Sequence, residues 1–215
     1  MNRKVTIVDY GIGNLYSVAR AFEVSGATVR VTENHEHIDD ADRIVLPGVG
    51  AFEDGMKGLA QRGQIEPIRQ FMASGRPFLG ICVGMQLLLD VGEEFGEHAG
   101  LGVIPGRVQP VPRTGIDGKP HRIPHIGWNI LVHPEGAGNA WETGILRGLP
   151  GHPAVYFVHS FAPVPALREH RLADSLYDGR RISAAIRSGQ TYGVQFHPEK
   201  SGPVGLKIVQ NFLSL

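Results

Sequence analysis

Cysteine is nearly absent from this chain. Cys82 is the only one in 215 positions, which rules out an internal disulfide and fits a reducing cytoplasm. No apolar run approaches the ~20 residues that would span a bilayer. Neither charge prevails: 21 basic and 21 acidic residues cancel, so nothing marks a nucleic-acid groove or a membrane surface. Met1-Asn2-Arg3-Lys4 runs into a strand-like segment without a secretory h-region. Internal repeats, low-complexity tracts and a long linker are also missing. These absences lead to the expectation of a soluble, cytoplasmic protein in which residues 1–215 form one domain, burying roughly 70% of the unfolded surface.

What is present alternates. Val5 to Asp9 is a short apolar run, after which Leu15, Val18, Ala19 and Phe22 mark a helical face. Thr28 to Val31 and Arg43 to Leu46 read as strands, Phe52 to Ser74 as an interrupted helix, Pro77 to Ile81 as a strand and Cys82 to Leu89 as a helix. Such alternation implies a parallel sheet with right-handed crossovers. From Gly100 onward glycine and proline become dense. Segments 106–110, 130–132, 154–158, 172–177 and 182–186 then suggest short, partly antiparallel strands, before a closing helix carrying Val204, Ile208, Val209 and Phe212. The expected fold is a three-layer α/β protein: an open, mostly parallel central sheet flanked by helices, with antiparallel strands in the second half.

The lone cysteine sits in Gly80-Ile81-Cys82-Val83-Gly84, between an apolar strand and a helix-compatible segment. Strand, tight turn, nucleophile and helix make a nucleophile elbow, with sulfur in the serine position. The flanking glycines remove Cβ atoms that would clash in so sharp a turn. A helix N-terminus favours a thiolate by only about 0.3–1 kcal/mol, so a basic partner is required. Tyr192-Gly193-Val194-Gln195-Phe196-His197-Pro198-Glu199 offers one: His197 leaves the end of a strand, and Glu199 two residues later projects to the same side of an extended backbone. A carboxylate there fixes the imidazole tautomer. An acyl-transfer site also needs oxyanion donors. The Val83 N–H is one, and Pro47-Gly48-Val49-Gly50, with two permissive glycines, can bring a second through Gly50.

These pieces in this order resemble the class I, triad-type glutamine amidotransferases: Gly-Ile-Cys-Val-Gly-Met-Gln and Gly-Val-Gln-Phe-His-Pro-Glu are close to that family's signatures. The resemblance implies that Cys82 attacks the side-chain amide of glutamine, with His197 as base and then acid and Glu199 orienting it. It further implies that Gln86 and the backbone of His159, Ser160 and Phe161 hold the substrate, with no cofactor. Asp9-Tyr10-Gly11-Ile12-Gly13-Asn14, Pro124-His125-Ile126-Gly127-Trp128-Asn129, Tyr156-Phe157-Val158-His159-Ser160 and Lys200-Ser201 narrow it to the glutaminase subunits of imidazole glycerol phosphate synthase, in histidine biosynthesis. The implied partner is a cyclase subunit, a (β/α)₈ barrel forming a heterodimer with this chain, with Asn14, Trp128, Tyr156 and Lys200 toward the interface. Ammonia freed into water becomes mostly ammonium, so the acceptor site is expected close by, on that partner.

Other readings are weaker. Gly11-Ile12-Gly13 lacks the third glycine of a dinucleotide loop, because position 16 is Tyr16, and it fits a plain turn. His121 and His125 have helical spacing, but Pro124 intervenes, and His35 and His37 fit a solvated loop, so no metal site is expected. Anthranilate- or guanylate-type glutaminases and a stand-alone γ-glutamyl hydrolase share the elbow but not the Asp-Tyr-Gly and Pro-His-Ile segments. A binding module on the same fold would have no use for Cys82, His197 and Glu199 together.

Overall fold

The computed structural model describes residues 3–136 and 141–215. The first part alternates as expected: β1 (Lys4–Val8), α1 (Leu15–Val24), β2 (Thr28–Thr32), α2 (Glu36–Asp39), β3 (Ile44–Gly48), α3 (Phe52–Gln61), α4 (Ile65–Ala73), β4 (Phe78–Cys82) and α5 (Val83–Gln86). Then come β5 (Leu89–Gly92), β6 (His98–Ala99), β7 (Ile104–Pro110), β8 (His125–Val132), β9 (Ala154–His159), β10 (Phe161–Pro165), β11 (Arg171–Tyr177), β12 (Arg180–Ser188) and β13 (Thr191–Val194), before α6 (Gly202–Phe212) closes the chain.

One nine-stranded sheet runs in the order β2-β1-β3-β4-β13-β12-β11-β8-β9. Strands β2 to β13 in that order pair parallel, and β13 through β9 pair antiparallel. Every residue of β3, β4 and β13 is buried, as parallel strands covered on both faces must be. Helices flank the sheet; α1 meets α6 through an edge-to-face contact of Phe22 with Phe212 at 6.1 Å. A smaller sheet, β10-β7-β5-β6, lies beside it.

Three departures from the sequence expectation have physical causes. The 52–74 helix is two helices, because Gly63 at φ 63° ends the first and the Gln64 N–H caps back to the Leu59 carbonyl. The helix expected over 82–89 stops at Gln86: the Leu87 and Leu88 carbonyls accept instead from Leu101, Val103 and Ile104, turning the chain into the small sheet. Strand β10 carries Pro163 and Pro165, which conceal it in sequence but are tolerated because it is an edge strand. His35 and His37, read as solvated loop residues, flank and enter α2, where the His37 ring bonds the Thr32 hydroxyl at 2.8 Å.

At the end of β4, Cys82 stands at φ 54° and ψ −111°, a conformation that L-residues hold only under constraint. The constraint is steric. A Cβ on Gly84 would overlap the Leu46 carbonyl oxygen, and one on Gly80 would overlap the Gly84 carbonyl oxygen. Strands β3 and β4 therefore grip the first turn of α5 backbone to backbone. Gly84→Ala is expected to cost about 3 kcal/mol or more, the upper end of overpacking, because its neighbour is rigid backbone. Gly50, at φ 96° in open space, should lose only about 1–2 kcal/mol on replacement by alanine, from backbone strain. Urea unfolding of the two variants measures the difference.

Candidate active site

The crevice beyond the C-terminal ends of β3, β4 and β13 is where an α/β sheet places its ligands. It is a cleft of about 230 Å³, small against the ~300–1,000 Å³ of sites for drug-sized ligands and suited to a single amino acid. Cys82 and His197 both line it, as do Gly50, Val83, Gln86, His159, Ser160 and Phe161. The structure thus brings all of those sequence-predicted positions to one place. Glu199 stands behind His197, its carboxylate oxygen 2.8 Å from Nδ1. The two side chains are almost completely buried. The reason is not the extended backbone expected from sequence: Pro198–Lys200 is a turn of 3₁₀ helix that swings Glu199 back beneath the imidazole.

Nδ1 belongs to Glu199, which leaves Nε2 for the crevice that Cys82 also lines. Burial alone would lower the His197 pKa, but the sulfur of Cys82 and the carboxylate of Glu199 outweigh it and raise the pKa to about 9. The ring is therefore an imidazolium at neutral pH.

Gln86 lies at the base of the cleft. Its Nε2 donates to the Phe161 carbonyl at 3.0 Å and to Gln195 Oε1 at 3.0 Å. Both amide protons are committed, so what Gln86 can offer a ligand is its acceptor oxygen. Val83 begins α5, where the first N–H groups have no intrahelical acceptor. Ser160 serves through backbone: its carbonyl accepts from the Val111 N–H at 2.9 Å.

Trp128, Tyr156 and Lys200 gather outside the cleft. Trp128 and Tyr156 are register partners on β8 and β9, their rings 6.2 Å apart edge-to-face, and Lys200 Nζ stands 5.9 Å over the Tyr156 ring. Ile126, Trp128 and Ile130, alternate residues of β8, form an exposed apolar row with Trp128 at 59% exposure. Asn14 caps α1, its Oδ1 accepting from the Ser17 N–H at 3.3 Å. Gly11 and Gly13 both have positive φ, and Asp9 accepts from the Gly11 N–H, which makes Asp9–Gly13 the plain turn.

A sequence description of glutamine amidotransferase class-I matches residues 6–215. The chain is 57% identical over 211 residues, 98% of its length and 99% of the relative's, to the imidazole glycerol phosphate synthase subunit HisH 1 of Legionella pneumophila strain Lens. It is 46% identical over 209 residues, 97% and 98% of the two lengths, to the corresponding HisH subunit of Syntrophotalea carbinolica. The chain belongs to the class-I glutamine amidotransferases, in the HisH family. The fold agrees: the structure of PurLQS from Thermotoga maritima superposes with a TM-score of 0.73 at 21% identity, covering 100% of this chain and 99% of that one.

Two polar residues, one lining this amidotransferase cleft and one behind it, escape the sequence reading. Glu94 lines it while accepting the Phe52 N–H at 3.0 Å, so it also caps α3; as one carboxylate among many, it carried no signal. Gln195 lies inside the quoted Gly-Val-Gln-Phe-His motif without a role, yet it is fully buried and places Nε2 3.6 Å from Cys82 Sγ.

Behind the amidotransferase cleft runs a chain of neutral histidines. His159 Nδ1 faces the Phe161 carbonyl at 2.9 Å, and His159 Nε2 faces His125 Nδ1 at 3.1 Å. A carbonyl only accepts, so Nδ1 of His159 carries the proton and His125 must supply the next one. His125 stacks against Phe157 and Tyr177, with ring centroids 4.8 and 4.1 Å away. His121 takes no part in a shared site with His125; its nitrogens meet Asp178 and the Pro112 carbonyl. Burial lowers the pKa of His125 to about 4 and, with His125 beside it, that of His159 to about 3.

The unfolded chain binds those protons near pH 6.5 while the folded chain refuses them. The contribution of these two histidines to stability is therefore full above pH 6.5 and declines as pH falls toward 3. His159 alone should contribute a loss on the order of 2 kcal/mol between pH 6.5 and 4.5. Urea midpoints at the two pH values, compared with His159→Gln, check this: the variant should lose less on acidification.

Proposed function

We propose that this chain is the glutaminase subunit of an imidazole glycerol phosphate synthase. It releases ammonia from glutamine through Cys82, His197 and Glu199, in a single domain of 215 residues, and passes the ammonia to a cyclase partner. One observation carries the reading. The only thiol in the chain, on a strained elbow, shares a small cleft with an imidazolium whose far nitrogen is held by a buried carboxylate.

The chemistry follows from the placement of the groups and from the charge on His197. The Cys82 sulfur anion adds to the side-chain carbonyl carbon of glutamine, and the N–H groups of Val83 and Gly50 receive the oxyanion. His197 enters as imidazolium and gives its Nε2 proton to the amide nitrogen, so ammonia leaves and a γ-glutamyl thioester remains. The neutral imidazole then takes a proton from water, whose oxygen attacks the thioester, and glutamate departs with sulfur and imidazolium restored. Glu94 supplies a carboxylate for the α-ammonium of glutamine, and the Gln86 acceptor oxygen and the His159–Phe161 backbone hold the rest of it.

Ammonia is a nucleophile only while unprotonated, so the acceptor site has to adjoin the cleft. The named relatives are subunits of that synthase and match over nearly their full length, which supports an acceptor site on a different chain. The apolar row Ile126, Trp128 and Ile130, with Tyr156 and Lys200, suits the docking of a (β/α)₈ cyclase. Asn14 is assigned to the same interface.

Glutamate release is expected to be low for the chain alone and to rise strongly with a cyclase subunit and its ribonucleotide ligand. Cys82→Ala should lower it roughly 10⁴–10⁶-fold, and Glu199→Gln about 10²–10⁴-fold. Full activity without the partner, or activity surviving in Cys82→Ala, would overturn the reading.

A further inference from the structure

Amide nitrogen and oxygen cannot be told apart by shape, so an amide's orientation has to be argued from obligate neighbours. Here one neighbour settles two amides. The Phe161 carbonyl can only accept, so the Gln86 group 3.0 Å from it is NH₂. That same nitrogen lies 3.0 Å from the Gln195 side chain, which must therefore present oxygen to it. The other end of the Gln195 amide, 3.6 Å from Cys82 Sγ, is then NH₂. No rotation of either amide preserves all three contacts.

The sulfur has another close polar neighbour, the Val158 carbonyl oxygen at 4.0 Å. A carbonyl there welcomes S–H and repels S⁻. His197 Nε2 lies in the same cleft, but its proton is the one handed to the leaving nitrogen. A donor that stays with the sulfur is built in beside it: Gln195 is fully buried, with Nε2 3.6 Å from Sγ.

We propose that Gln195 is a catalytic residue of the elbow. Through Nε2–H it donates to the Cys82 sulfur anion, offsetting the Val158 carbonyl and holding the anion in place, while its Oε1 is locked by Gln86. This deepens the glutaminase reading, but its test does not depend on glutamine being the substrate. Cys82 is the only cysteine, so alkylation by iodoacetamide reports this sulfur alone.

Two substitutions separate a sulfur donor from a structural prop. Gln195→Met keeps the length and removes the donor. Gln195→Glu keeps the acceptor for Gln86 and puts a carboxylate where the donor was. A hydrogen bond to a charged group implies alkylation at pH 7 slowed about 10- to 100-fold in Gln195→Met, with the rate recovered as pH rises. The loss in Gln195→Glu should be at least as large, although its contact with Gln86 survives, and kcat for glutamate release should fall in parallel with little change in KM. Alkylation of Gln195→Glu at the wild-type rate would overturn the proposal. Slowed alkylation in a chain that never turns over glutamine would leave the proposal standing and sink the glutaminase reading instead. If both variants fail to fold, the Gln195 side-chain NH₂ resonances decide in the otherwise native protein. They should shift over the pH range in which alkylation accelerates, and stay flat in Cys82→Ala; a flat response with Cys82 present overturns the proposal.

Discussion

The packing of the Gly84 peptide against the Leu46 carbonyl is the constraint on which the site depends. Strand β3 leaves no room for a side chain at Gly84, and α5 leaves none at Gly80, so the first turn of α5 lies closer to β3 and β4 than a helix ordinarily could. The chain must reverse within one residue to get there, and that residue is Cys82, at positive φ. Strain of this kind costs about 1–3 kcal/mol and persists only where surrounding structure over-determines it. Here fully buried strands on both sides of β4 supply that surrounding. The return is a thiol fixed at the mouth of a cleft, with the first free N–H groups of α5 beside it.

A second organising element is the Phe161 carbonyl. It accepts from Gln86 on one side and from His159 on the other, and because it cannot donate it sets every donor and acceptor along both branches. Toward the nucleophile it fixes Gln86 and Gln195; away from it, the tautomers of His159 and His125. A fully satisfied buried network rigidifies a site, whereas a half-satisfied one costs free energy at each orphaned group. The neutral histidines fit this arrangement: an imidazolium at either position would present a second N–H where an acceptor is needed.

How much of this could be read from the sequence follows from the range of the interactions involved. The elbow, the first strands and the grouping of Cys82, His197 and Glu199 were legible because glycine spacing, apolar runs and a His-Pro-Glu turn are local signals. The helix expected through Leu89 was not, because a run of leucines suits a buried helix and a buried strand equally, and the choice was made by backbone groups of Leu101, Val103 and Ile104. Strand β10 hid behind two prolines. Gln195 and Glu94 had no visible role because their partners lie 113 and 42 residues away, and long-range polar contacts leave no periodicity. The Glu199 contact was anticipated for a reason the structure replaces: a 3₁₀ turn, not an extended strand, brings it under His197.

The curl of the sheet ties the apolar outer face of β8 and β9 to His197. Strand β9 is the far edge of the nine-stranded sheet, yet its Tyr156 carbonyl accepts the His197 N–H at 2.9 Å, and its Tyr156 N–H donates to Ser201, whose hydroxyl bonds the His197 carbonyl. An exposed sheet edge is thereby covered by the turn that carries His197 and Glu199. Tyr156 also packs its ring against Trp128 and beneath Lys200, so the residue that anchors the histidine in backbone belongs in side chain to the apolar outer face. A protein seated on that face would bear on the strand that holds His197 and whose Val158 carbonyl faces the sulfur. Coupling between a partner and the triad then needs no long relay, because one residue belongs to both.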